Sequence, residues 1–125
     1  MTAKFCLLIG SMGGLLGVVL GAFGSHGLKA RLSADMLAVW QTAVEYQFYH
    51  SLALIGVGLL LMQQSQASLA GWAGLAFAIG IVLFSGSLYV LALSGIKPLG
   101  AITPIGGLSF IVGWVLLIAA VLKLA

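Results

Sequence analysis

The sequence predicts an all-α integral membrane protein: a bundle of four transmembrane helices, with a short interfacial helix or helix extension between the first and second spans. Three observations predict it. Hydrophobic residues make up 62% of the 125 positions, against about 45–50% in soluble domains, and the mean hydropathy is +1.26. Ionisable groups are scarce, with five Lys and Arg and two Asp and Glu. Four segments each reach the roughly 20 mostly apolar residues that a helix needs to cross a bilayer. A soluble fold of this length has too little interior to hide so much apolar surface, and there is room for one domain, 1–125.

The first span runs from Phe5 to Phe23. With Lys4 before it and Ala22-Phe23-Gly24 after it, it imitates a secretory signal. Its apolar part is longer than a signal core of about 7–15 residues, so it reads as a membrane helix that stays attached. The lone Cys6 cannot form an internal disulfide and reads as a small apolar side chain. The connection Gly24–Thr42 is partly helical: Ser33 suits an N-cap, with Asp35 in the first turn against the positive helix end. Met36, Leu37, Trp40 and Val44 then fall at helical spacing, while Asp35 and Gln41 lie elsewhere on the wheel.

The second span is Ala43–Met62, closed by the polar turn Gln63-Gln64-Ser65-Gln66. The third, Leu69–Leu93, ends at Ser94-Gly95-Ile96-Lys97-Pro98. The fourth, Pro104–Leu124, opens on Thr103 as an N-cap and Pro104 as a first-turn proline. All four are helices and not open strands, because lipid leaves every backbone polar group to be satisfied internally.

Eighteen glycines punctuate these spans. Gly10, Gly14, Gly17, Gly21 and Gly24 recur at intervals of four and three, and Gly13, Gly17, Gly21 and Ser25 form an i+4 row. The third span carries Ala70, Gly74, Ala78 and Gly86, and the fourth Gly106, Gly107 and Gly113. Small residues at this spacing let helix backbones approach closely. They pack the four helices against one another or build a homo-oligomer; both readings stay open.

The net charge of +3 is spread thinly. Lys4, Lys29, Arg31, Lys97 and Lys123 form no stripe, so nucleic acid is not a partner. Lys29, Arg31 and Lys97 share one predicted side and face lipid headgroups. Lys4 and Lys123 share the other. The positive-inside rule then puts the basic loops in the cytoplasm and both termini outside.

The stretch Trp40-Gln-Thr-Ala-Val-Glu-Tyr-Gln-Phe-Tyr-His50 is the chemically richest part. At 100° per residue, Gln41, Glu45 and Tyr49 share one face, Tyr46 and His50 the adjacent one, and Gln47 and Ser51 point roughly the other way. A segment polar on several faces meets other helices or water on most sides. An ionisable group in such a place is a functional candidate by default. Glu45 reads three ways: an interfacial acid paired with Lys29, Arg31 or Lys97, with Trp40, Tyr46 and Tyr49 as an aromatic belt; a protonatable group handling protons or ions; or part of a headgroup or ligand site. A bis-histidine haem fails on geometry, since His50 lies about 15 Å along the helix beyond Trp40 while His26 stands at the membrane face. No metal-ligand spacing, Ser–His–Asp set or phosphate loop is present, so no metal, cofactor or catalytic residue is assigned.

Four motifs in order, Gly21-Ala-Phe-Gly-Ser-His-Gly-Leu28, the Trp40–His50 stretch, Phe84-Ser-Gly-Ser-Leu-Tyr89 and Leu99-Gly-Ala-Ile-Thr-Pro-Ile-Gly-Gly107, resemble the domain-of-unknown-function 423 family, small bacterial inner-membrane proteins. The resemblance implies a multi-pass helical protein of that membrane. It implies no substrate or reaction. It draws attention to Ser85, Ser87, Tyr89 and Thr103, on the same predicted side as Glu45 and His26. The expectation is one polar network beneath the basic loops, joining Glu45, His26, Tyr46, Tyr49, His50, Ser85, Ser87 and Thr103. The functional expectation is a non-enzymatic accessory or binding component that works with membrane lipids or another membrane protein. The alternative is a small oligomeric transporter or channel using Glu45. An enzyme acting on a lipid or quinone ranks last, given so thin a set of acids and bases.

Overall fold

The computed structural model describes residues 1–124 as helices joined by short turns. Four helices are long and apolar enough to cross a membrane. Helix α1 is Ala3–Phe23, continued by a π turn over Gly24–Leu28. Helix α2 is Ala34–Gln63. Helix α3 runs Ser68–Ser94, with a π turn at Ile81–Ser85 between two α-helical parts. A 3₁₀ turn, Lys97–Ala101, leads into α4, Thr103–Leu122.

The two options for the first connection resolve into a helix extension. Ser33 caps α2, its hydroxyl accepting from the Met36 N–H at 3.2 Å, and the helix continues unbroken for 30 residues, about 45 Å. That is longer than the roughly 30 Å of hydrocarbon a perpendicular helix has to cross. Glu45 stands eleven residues beyond Ala34 on this helix. The start of α4 differs from expectation. Ile102 holds the cap position with no side-chain bond. The Thr103 hydroxyl pairs instead with Ser87 on α3, 2.7 Å away. Helix α3 ends as glycine allows, with Gly95 at φ 70° in the left-handed region.

Helix α2 is central. It packs against α1 on one side and α3 on the other, while α4 packs chiefly on α3. Near the start of α1, Cys6 lies against Gly74 of α3, and the Met1 backbone lies against Gly71. Glycines mark the close approaches. A Cβ on Gly10 would stand 2.7 Å from the Ser51 carbonyl oxygen, one on Gly17 2.7 Å from the Phe48 ring and one on Gly21 3.4 Å from Val44. Gly13 abuts the Ser51 hydroxyl. Gly106 lies on the Phe84 backbone inside the α3 π turn, with Gly107 nearby in ordinary contact with the Phe84 ring. Gly14 and Gly86 depart from the expected packing rows: a Cβ at either would meet nothing within 4 Å. The reason is rotational. The face of α1 toward α2 runs through Gly10, Gly13, Gly17, Gly21 and Gly24, and Gly14 lies at its edge, about 40° from Gly10 and about 100° from Gly13 around the wheel.

The interior is built from Cys6, Leu54, Val57, Ala70, Ala73 and Phe77, all fully buried. Outward-facing side chains such as Leu15, Val18, Leu52, Val82 and Ile111 are more than half exposed. In water such a surface would aggregate; in a bilayer it faces solvent of its own polarity.

Candidate functional site

Three groups of polar and aromatic side chains stand out. The first crosses three helices. Gln47, buried on α2, donates its amide N–H to the Gly13 carbonyl of α1 at 2.8 Å. Its amide oxygen accepts from the Tyr89 hydroxyl of α3 at 2.6 Å. A long side chain on a helix points back toward its N-terminus, which is how Tyr89 reaches a level deeper than its own Cα. Nearby, Trp40 donates its indole N–H to the Leu20 carbonyl at 2.9 Å and meets the Tyr89 ring edge-on at 4.7 Å. That Leu20 carbonyl also accepts from the Gly24 N–H. A side chain drawing on the helix ladder is a recognised cause of local helix irregularity, and the π turn begins here. Only glycine fits at 24, since a Cβ would stand 2.6 Å from the indole.

The α3 π turn serves the same bridge. Its i→i−5 bond, from the Gly86 N–H to the Ile81 carbonyl, turns the fully buried Ser85 toward α2. There the Ser85 hydroxyl donates to the Ala43 carbonyl at 2.7 Å. Ser87 donates to the Phe84 carbonyl at 2.9 Å and shares a hydrogen bond with Thr103. Ser109 of α4 donates to the Ala76 carbonyl at 2.7 Å. Ser51 is the exception: its buried hydroxyl has no partner among the described residues.

The second group is an aromatic box around His50. The imidazole stacks on Phe110 with ring centres 3.5 Å apart and planes 9° from parallel. Its Nε2 accepts from the Trp114 indole N–H at 3.1 Å, which leaves Nδ1 as the nitrogen that donates, to the Tyr46 carbonyl at 2.7 Å. Both nitrogens are thus satisfied in one tautomer. Tyr46 and Phe84 close the box, 4.5 Å apart. An apolar groove of about 570 Å³ opens beside it toward the lipid-facing side of α4.

The third group is a groove of about 440 Å³ at the corner of α1 and α2, lined by Gly24, Ser25, Lys29, Trp40, Gln41 and Glu45 among others. Lys29 and Glu45 are both exposed there.

The single expected network therefore separates. Ser85, Ser87 and Thr103 join the buried bridge. Tyr46 and His50 belong to the aromatic box, with the exposed Tyr49 beside Tyr46 at 5.8 Å. Glu45 and His26 belong to neither: both are exposed and take no part in the bonds between helices among the described residues. The physical reason is the wheel. The Glu45 face of α2 lies beside the α1–α2 groove, while Gln47 and His50 face the neighbouring helices. Gln47, Trp40 and Trp114 carry much of the bridging, and a helical wheel alone does not single them out. A signal for Gln47 does exist in the sequence: a neutral amide deep in a long helix, in a chain with a glycine row on another span. Among the described residues there is no cluster of three or more His, Cys, Asp or Glu able to hold a metal.

Fold and site together define a multi-pass membrane protein of four helices, tied at one end by hydrogen bonds between spans. Comparison with known sequences is consistent and specific. Residues 20–107 match the family described as Protein of unknown function (DUF423), and the chain belongs to that family. The UPF0382 membrane protein SAB0533 of Staphylococcus aureus is 45% identical over 122 residues, 98% of each chain. The UPF0382 membrane protein YwdK of Bacillus subtilis is 46% identical over 123 residues, 96% of this chain and 98% of its own. The UPF0382 membrane protein SH2409 of Staphylococcus haemolyticus is 47% identical over 120 residues, 96% of this chain and 97% of its own. No solved structure matches.

Proposed function

We propose that this protein is a non-enzymatic lipid-binding component of the bacterial inner membrane, with its binding site in the α1–α2 groove. The observation that carries the reading is the placement of Lys29, Gln41, Ser25 and Glu45 around one groove, at the end of the bundle where the first span meets the boundary of the apolar layer. A pocket of about 300–1,000 Å³ with a few convergent polar groups is the usual form of a small-ligand site, and here the molecules present at that level are lipid headgroups. The buried bridge supports this role by adding hydrogen bonds to the close packing that sets α1 against α2. The basic connections carrying Lys29, Arg31 and Lys97 then lie in the cytoplasm and the two termini outside, in keeping with the positive-inside rule.

Native purification in mild detergent tests the reading. The complex is expected to retain lipid through an exchange wash, with one bound molecule per chain by native mass. A lipid-free chain after mild extraction would defeat it. The second reading, proton-coupled transport through Glu45, rests on that carboxylate alone; its test appears below.

A further inference from the structure

Lys29 and Glu45 line the same groove, yet neither pairs with the other nor with any third group among the described residues. One acid and one base, held in a single groove without closing on each other, match a ligand that carries both charges. We propose that the groove takes a phospholipid headgroup bearing a phosphate and a primary ammonium together, the phosphate on Lys29 and the ammonium on Glu45. This rests on the lipid-binding reading above and names its headgroup class.

Each alternative headgroup leaves a charge unmatched. A phosphate alone satisfies Lys29 but sets an anion beside the Glu45 carboxylate, and like charges at close range repel. A quaternary ammonium has no N–H to donate and is best held by open aromatic faces. The aromatic ring lining this groove, Trp40, is only 2% exposed, its ring edge-on to Tyr89 and Phe23. A primary ammonium has three donors, and the groove offers acceptors in Glu45, the Gln41 amide and the Ser25 hydroxyl. Lys29 acts toward the phosphate as a point charge on a flexible stem.

The full chain is reconstituted into vesicles containing equal parts phosphatidylethanolamine, lysyl-phosphatidylglycerol, phosphatidylglycerol and phosphatidylcholine. It is then extracted, and its bound lipid is read by native mass. The two amine lipids are expected to exceed phosphatidylglycerol and phosphatidylcholine about tenfold, the scale of one charged hydrogen bond. Whichever amine lipid leads names the source. Glu45→Gln is expected to bring the amine-to-glycerol ratio to about one, and Lys29→Gln to lower all four lipids together. The Glu45→Gln readout is a ratio between lipids on folded protein, so partial unfolding does not mimic it, and Lys29→Gln is read per folded chain, as bound against lipid-free protein in the same native mass spectrum. Retention of phosphatidylglycerol or phosphatidylcholine above both amine lipids by the unaltered chain overturns the headgroup assignment while lipid binding stands. Lipid in proportion to the vesicle mixture overturns both.

Discussion

The hydrogen bond between Gln47 and Tyr89 is the best place to test how the spans are held. Hydrophobic burial does not draw helices together in lipid, because the tails are as apolar as the side chains they would replace. Polar bonds and close packing therefore carry a larger share. Gln47→Leu removes two bonds, to Gly13 at 2.8 Å and from Tyr89 at 2.6 Å. At the average of about 0.6 kcal/mol for bonds between membrane helices, their loss costs about 1.2 kcal/mol. The Tyr89 hydroxyl is then stranded beside a leucine, a further cost of about 1–3 kcal/mol; the Gly13 carbonyl keeps its own helix partner and adds little. The total is about 2–4 kcal/mol. Tyr89→Phe strands only the Gln47 oxygen and should cost about 1–3 kcal/mol. The double variant has no stranded partner in this pair, so it should be less destabilised than the sum of the singles by about 1–2 kcal/mol. Unfolding in mixed micelles, followed by circular dichroism, measures all three. Additivity to within about 0.5 kcal/mol, the behaviour of independent sites, would refute the claim that the bridge couples α2 to α3.

Three further outcomes follow from the same packing. Gly106→Ala should disrupt the α3–α4 crossing, because the new methyl would stand 2.7 Å from the Phe84 Cα and backbone cannot give way as a flexible side chain can; Gly14→Ala, in open space, should leave stability within about 0.5 kcal/mol of the parent. His50→Phe removes the acceptor for the Trp114 indole at 3.1 Å while keeping a ring to stack on Phe110; a cost of about 1–3 kcal/mol is expected, with a change in tryptophan emission, and unaltered stability and emission would contradict the box as described. In proteoliposomes, Glu45→Gln should leave any pH-driven flux at the parent's level, since Glu45 lies in the groove and not in the bridge between spans; abolished flux would favour the transport reading over lipid binding.

Much of the architecture is legible in the chain alone. Each span is a run of apolar residues long enough to cross, and that is a local property. Ser33 and Pro104 mark helix starts by chemistry that acts within one turn. Thr103 fails as a cap because its hydroxyl has a better partner on another helix, Ser87, which no local rule can reveal. The π turns are not legible either. Each accompanies a contact from a different span, the Trp40 indole at Leu20 and the Gly106 backbone at Phe84.

By itself the sequence determined that this chain lives in a membrane, where it crosses, and which few side chains are dear enough to notice, because solubility in hydrocarbon depends on composition along the chain. Only the tertiary structure decided which face of α2 meets protein. In water a hydrophobic stripe would have marked the buried side. In lipid both sides of a helix are apolar, so the choice among Glu45, Gln47 and His50 falls to where a glycine backbone, a tyrosine hydroxyl or an indole stands on another helix, and that is a matter of packing.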